Sequence, residues 1–234
     1  MSTYLDLLDE SASIKTFSRK IDYIRFNFKK HLKFDISHNA KILEIGPGLG
    51  EAVKYLNDRG FENIDIIDND QGVINYINQT FKIRKSFFAE KLDEIENSLE
   101  MYDAIIATQV LEHIPKESHE AFLRILYNHL NKGGKMIITA PNMANPFTLF
   151  EKYGDITHEI GFTDSSFKQL SIKCDIPIKD IEIRGFNIPP YTMINLIRIP
   201  IQKILHAFIL ICYIANGGGY SRILTPNITL IVKK

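Results

Sequence analysis

The stretch KILEIGPGLGEAVKYL, residues 41–56, sets three glycines within five positions between an apolar run and a helical pattern. Glycine takes positive φ without penalty and leaves the main chain bare, and a helix that starts just beyond offers unpaired amides with partial positive charge. A chain carrying this stretch is committed to a strand, a sharp turn and a helix. The same unit then recurs. NIDIID reads as a second strand ending at Asp68, residues 71–80 as a second helix, and KSFFA as a short third strand. YDAIIATQV is apolar almost throughout, as expected of a strand covered by helices on both faces. Phe122, Leu123, Leu126, Tyr127 and Leu130 make one helical face, closed by NKGG, and KMIITA is the fifth strand. Ahead of all this, Phe17, Ile21, Ile24, Phe28 and Leu32 recur at helical spacing and predict an amphipathic helix.

Strands alternating with helices predict an α/β fold, a Rossmann-like doubly wound sheet with ligands beyond the carboxyl ends of its strands. The sheet is expected to be mostly parallel, with an antiparallel last strand. A helix over 164–174, a strand IEIRGF and a final strand NITLIV complete it. We read 1–37 as an N-terminal helical cap and 38–234 as the main domain. Residues 187–226 are a lid-like insertion between the last two strands, 40 residues where a hairpin needs only a few.

Lys plus Arg and Asp plus Glu both total 28, so no global field draws in a polyanion, and nucleic acid is not expected as a partner. The acidic start MSTYLDLLDE lacks the layout of a signal peptide and no stretch reads as long enough for a membrane span, which predicts a cytoplasmic protein. Cys174 and Cys212 are isolated thiols read as reduced packing residues. With no Cys-His ligand cluster and no carboxylates assignable to an ion, no metal ligands are assigned, and a metal requirement is left open by the sequence.

Two ligand classes use such a glycine turn. The dinucleotide fingerprint G-x-G-x-x-G would need glycine or alanine at position 51, where this chain has Glu51, an acid that would repel a pyrophosphate. Glu44, two residues before Gly46, can instead pair with a cationic group, which favours a ligand with an ammonium and a sulfonium. LEIGPGLG resembles the E/D-x-G-x-G-x-G motif of class I S-adenosylmethionine-dependent methyltransferases. The resemblance continues through IDIIDND, YDAIIATQVLEHIP and LNKGGKMIITAPN.

That resemblance implies S-adenosyl-L-methionine as cofactor, with Glu44, Gly46, Pro47, Gly48 and Gly50 at its amino-acid end and Asp68 gripping the ribose. Capping of the helix that follows is the alternative role for Asp68. Asn69 falls along the adenine, Gln109 and Val110 beneath the methionine portion. Phe88 stands where the family often has an acid or amide, a departure that leaves Phe88 and Ala89 to flank the adenine by apolar contact, with Glu90 as a polar neighbour.

Methyl transfer from a sulfonium mainly requires alignment and exclusion of water, and a hydroxyl acceptor adds the need for a base. His158, Glu159 beside it and His113 are the candidates, with surface or helix-start polarity as the plainer reading. The expected reaction is O-methylation of a small polar acceptor, such as a carbohydrate oxygen in polysaccharide biosynthesis. The alternatives are a lipid or quinone-type acceptor, a non-catalytic adenosyl-binding protein, and a nicotinamide oxidoreductase. Residues 193–216 read as a pocket cap or homodimer contact, with weak membrane-surface contact as the alternative. Twelve residues, 204–215, are too few to cross a bilayer, and Pro200 is expected to break the pattern upstream.

Overall fold

The computed structural model describes residues 14–31 and 35–234; residues 1–13 and 32–34, Leu32 among them and all part of the N-terminal cap read from sequence, lie outside the described residues. Helix α1 (Ile14–Phe26) runs into a π-helical turn over Asn27–His31. Strand β1 (Ile42–Ile45), helix α2 (Glu51–Asp58), β2 (Ile64–Asp68), α3 (Gln71–Thr80) and β3 (Lys85–Phe88) form the first half. The second half is β4 (Tyr102–Thr108), α4 (His119–Asn128), β5 (Leu130–Pro141), α5 (Leu149–Gly154) and α6 (Asp164–Lys173). Strand β6 (Ile181–Phe186), helix α7 (Met193–Asn216) and β7 (Asn227–Lys233) close the chain.

The seven strands lie in the order β3-β2-β1-β4-β5-β7-β6. All neighbours are parallel except β7, which is antiparallel to both β5 and β6. Successive residues of β4 go to opposite faces: Ala104 and Ile106 join the core under α1, α2 and α3, whereas Ile105 and Ala107 join the core under α4 and α6. That two-sided burial is why this segment lacks polar alternation. On the first side Ile21, Ile24 and Phe28 of the N-terminal helix pack with Val53 and Leu56 of α2. The π-helical turn has its own anchor. Asn27 is fully buried, donating to the carbonyls of Tyr23 and Asn187 and accepting from the Asn187 N–H at 2.6 Å.

Two sequence expectations need correction here. Pro200 does not interrupt α7, which runs for 24 residues from a Thr192 cap, whose Oγ1 accepts from Asn195 N, to left-handed Gly217. Proline forfeits only its own N–H, here the bond to Leu196, and the helix continues because Asn195, Leu205, Ile209 and Tyr213 are held against the domain on both sides of it. As a result one segment does meet the length and apolarity of a bilayer-crossing helix, contrary to the reading that stopped at Pro200. Cys174 is buried as expected, whereas Cys212 is exposed on α7.

The parallel half carries a buried ion pair. Asp65 in β2 is fully buried, takes both Nε and Nη2 of Arg84 and accepts from the Tyr102 hydroxyl at 2.9 Å. Arg84 reaches on to Glu100, which also binds Lys41 and Lys85. Removing the guanidinium would strand a carboxylate in the interior, and such broken pairs cost several kcal/mol. Arg84→Met is therefore expected to lower unfolding free energy by about 3 kcal/mol, read from the urea midpoint at unchanged slope. A loss under about 1 kcal/mol would show that Asp65 is solvated or neutral without Arg84.

Candidate functional site

Register brings the strand ends together. Ile45 pairs with Ile67 and with Ala107, Asp68 with Phe88, and the Gly46 N–H continues the ladder onto Ile67 O at 2.9 Å. Gly46, Asp68, Phe88 and Thr108 thus share the carboxyl edge of the sheet, where the ligands of such folds bind.

Gly46, Gly48 and Gly50 all have positive φ. At two of them the demand comes from the protein itself. A Cβ on Gly46 would sit 2.6 Å from Cγ2 of Val110, and one on Gly50 would sit 2.4 Å from the Phe81 ring. The turn is therefore fixed by packing from α3 and from the segment after β4 as well as by any ligand. Val110, placed by sequence reading beneath the methionine portion, is the residue that pins Gly46.

The carboxylates at this edge are poorly solvated. Glu44 is buried and its Oε2 has no hydrogen-bond partner; burial, with the Glu51 charge adding to it, pushes its carboxyl up to about 8. Glu51 is itself buried, with Lys20 Nζ of α1 3.1 Å from its Oε1 but outside hydrogen-bonding geometry. Asp68 is pushed up to about 6, chiefly by burial against the lowering effect of the Asp70 N–H, which donates to its Oδ1 at 2.8 Å. The capping role considered for Asp68 belongs to Asp70, whose Oδ1 accepts from Gly72 N. Phe88 and Asn69 are exposed at the adjoining positions, as is Glu90, while Ala89 is buried and bonded through its N–H to Asp68 O. Gln109 holds φ 57°, a conformation that costs a residue with a side chain about 1 kcal/mol or more, and its buried Nε2 is unpartnered. Backbone strain beside an idle donor is characteristic of positions kept for a ligand.

Beyond β4, the turn Leu111–His113 is clamped by buried His119, whose Nε2–H lies 3.1 Å from Leu111 O and 2.9 Å from Ile114 O. This anchor carried no signal in the sequence. The turn meets the segment after α5 through Glu159 N, which donates to Glu112 O at 2.8 Å. The rings of His113 and His158 lie 4.6 Å apart. His158 Nδ1 faces Glu151 O at 2.9 Å, and a carbonyl only accepts, so Nδ1 carries the proton. His113 Nδ1 faces Thr157 Oγ1, which spends its own hydrogen on Asp155, so Nδ1 donates there too. In the neutral form of each ring Nε2 therefore keeps its lone pair. Burial, and then the neighbouring His158, hold the His113 imidazolium below its ordinary range.

Glu112 completes this group. It is fully buried, neither carboxyl oxygen has a hydrogen-bond partner, and burial pushes it up to about 8. One ligand atom each from Glu112, His113 and His158 lie within 4.8 Å of one another, a two-histidine, one-carboxylate set suited to a divalent cation. Sequence reading assigned no metal ligands because Glu112 and His158 are 46 positions apart. It paired Glu159 with His158, but the Glu159 side chain is exposed and the carboxyl brought to the two rings is Glu112.

Raised carboxyl pKa values make the unliganded fold sensitive to alkali. For Glu44 and Glu112 the folded value lies above the unfolded 4.5, so their stabilising contribution is complete below pH 4.5 and disappears as pH rises through about 8. Glu44→Gln should therefore remove part of the fall in stability between pH 5 and 9, on the order of a few kcal/mol, in thermal scans across that range. A variant with the same pH slope as the parent would show that Glu44 is hydrated in the unliganded protein.

The family described as a methyltransferase domain matches residues 15–170. The mitochondrial ubiquinone biosynthesis O-methyltransferase of Mus musculus is 29% identical over 140 residues, 53% of this chain and 35% of that enzyme. The chain spans about a third of the length of the curated relatives it matches first. Among solved structures, a SAM-dependent methyltransferase from Archaeoglobus fulgidus superposes with a TM-score of 0.65 at 17% identity, over 92% of this chain and 94% of that one. The plantazolicin methyltransferase BpumL in complex with SAH gives 0.60 at 18% identity, over 97% and 87% of the two chains. At these identities the two structures establish a shared fold.

Proposed function

The chain belongs to the methyltransferase-domain family, and from that premise we propose that it transfers a methyl group from S-adenosylmethionine to an oxygen of a small polar acceptor, such as a carbohydrate. The observation that carries this reading is the pair of sites at one sheet edge. An acidic, partly unpartnered cradle at Glu44, Gly46, Gln109 and Asp68 takes the donor, and a second group forms where Glu112 and His113 of the turn after β4 meet His158 of the segment after α5. A non-catalytic binding protein has no use for the second group. Pyrophosphate of a nicotinamide cofactor is disfavoured by the buried acids Glu44 and Glu51. A nucleic-acid acceptor finds no cationic excess, although one curated relative is named a ribosomal RNA methyltransferase.

In this mechanism the donor's ammonium pairs with Glu44 and its ribose hydroxyls with Asp68, while Phe88 and Ala89 flank the adenine and the turn Gly46–Pro47–Gly48 supplies bare main chain. The acceptor oxygen attacks the methyl carbon as the carbon–sulfur bond breaks; the sulfonium becomes a neutral thioether and the acceptor's proton passes to Nε2 of His158. Nδ1 of that ring is already committed to Glu151 O, which fixes the basic tautomer. A second reading of the same cluster is favoured by its three electron-pair donors and buried, unpartnered Glu112: a divalent cation held there would bind and acidify the acceptor oxygen. The acceptor's remainder has its own pointer in Phe147, Phe150, Tyr153 and Ile156, all exposed on the segment leading to His158. They favour an acceptor whose polar, methylated end is borne on an apolar portion, as in a lipid-linked sugar or a quinone, over a free sugar.

Three measurements test the reading. His158→Ala should reduce turnover by about 100-fold or more with affinity for S-adenosylhomocysteine within a few-fold of the parent; equal turnover removes His158 from the mechanism. Loss of turnover with a chelator, restored by a divalent cation at unchanged S-adenosylhomocysteine affinity, selects the cation reading over the base alone. Donor affinity should also peak near pH 8. Below it Glu44 must shed a proton to form its pair, and above it the donor's amino group, with an ordinary value of about 7.7–8.0, loses its charge. Calorimetric affinities that are flat from pH 6 to 9 would remove Glu44 from donor binding.

A further inference from the structure

Helix α7 presents its apolar side to solvent. Its inward stripe is Asn195, Ile209 and Tyr213, with Leu205 partly buried beside them; Tyr213 donates to Ala144 O at 2.9 Å and Asn195 to Pro189 O at 2.8 Å. The opposite stripe is Ile197, Ile201, Ile204, Phe208 and Ile211, spaced four, three, four and three, each between 58% and 72% exposed. That spacing places all five along one face. It is an amphipathic helix with its outer face the wrong way round for water, and a contiguous apolar stripe of this length marks an interaction surface.

The charge around it chooses the occupant. Although acids and bases balance over the chain, residues 187–226 contain Arg198, Lys203 and Arg222 and no Asp or Glu. Two copies of this face would bring like charges together, which disfavours self-association, whereas an anionic lipid surface attracts each cation by about 1 kcal/mol. Spanning is excluded by topology. The residue before the insertion, Phe186, and the residue after it, Asn227, are register partners in the sheet. A helix of 24 residues reaches about 36 Å, so crossing a bilayer would oblige residues 217–226, which are neither helix nor strand, to recross some 30 Å of hydrocarbon with unsatisfied backbone groups.

We propose that α7 lies flat in the headgroup region of an anionic phospholipid bilayer, with Ile197, Ile201, Ile204, Phe208 and Ile211 buried among acyl chains and Arg198 and Lys203 on lipid phosphates. Helix α7 is tied at Ala144 to the segment that continues through exposed Phe147 and Phe150 toward His158. Docking therefore turns the acceptor side of the molecule to the bilayer, which deepens the preceding reading by naming a lipid-borne acceptor as the substrate class and depends on it for that point alone.

The test is flotation of the full chain with phosphatidylcholine vesicles, with and without phosphatidylglycerol, alongside S-adenosylhomocysteine calorimetry in vesicle-free solution. Expected is recovery with the anionic vesicles, at least tenfold above the neutral ones and declining with salt. The double variant Ile204→Glu, Phe208→Glu should lose that recovery while keeping the ligand affinity that reports an intact fold. Arg198→Gln with Lys203→Gln should erase the preference for anionic lipid. Protein that binds S-adenosylhomocysteine yet stays at the bottom with both vesicle types overturns the proposal, as does a stable dimer that the Glu variants dissociate. Protein that floats without binding S-adenosylhomocysteine leaves the docking intact and sinks the methyl-transfer reading instead.

Discussion

The parallel registration of β1 between β2 and β4 is the constraint from which the rest follows. With Ile45 level with Ile67 and Ala107, the chain leaves the sheet at one height on three adjacent strands, and the Gly46 N–H extends the ladder by one more bond. Everything chemical is then a matter of what stands just past that line. Glu44 lies in the strand itself, Asp68 at its neighbour's last position, and Gln109 on the first residue beyond the other neighbour. A slip of one residue in either pairing would send these side chains to the opposite face. Continuous burial on both faces of β1, β2 and β4 gives that register its specificity.

What the sheet edge gains in function it surrenders in stability. Glu44, Asp68 and Glu112 each sit in surroundings that disfavour their charge, Gln109 is held in left-handed backbone, and buried polar atoms of Glu44, Thr108, Gln109 and Glu112 have no partner. The contrast with Asp65 is instructive. It is as deeply buried as any of them, yet it lies at the far end of β2 from Asp68's edge and is fully engaged by Arg84 and Tyr102. Within one strand, the acid used for structure has its charge paired, whereas the acid at the edge has backbone N–H contact but, among the described residues, no ion-pair partner.

Much of this was legible in the sequence because it is periodic or local. The apolar run of YDAIIATQV, the glycine turn and the switch from strand to helical spacing recover the strand order's ingredients and all seven strands. Three things were not legible, each for a physical reason. The meeting of Glu112 and His113 with His158 depends on the path of the segment after α5, which no local pattern encodes. Val110 and Phe81 dictate glycine at positions 46 and 50 through contacts across the fold, so the motif's spacing alone could not separate packing from ligand space. Pro200 read as a stop because propensity treats it in isolation, whereas contacts on either side of it carry the helix through.

Strand β6 has one neighbour in the sheet, and that neighbour is β7. When β6 has been synthesised its native partner does not yet exist, and the chain must first lay out 40 further residues, including the whole of α7, before β7 can enter between β5 and β6. The pairing is nonlocal and comes last, the kind of closure that raises contact order and slows folding. Meanwhile an unpaired strand and a 24-residue apolar segment are available together to other chains, so crowding of half-made molecules, more than any weakness of the finished sheet, sets the hazard in producing this protein.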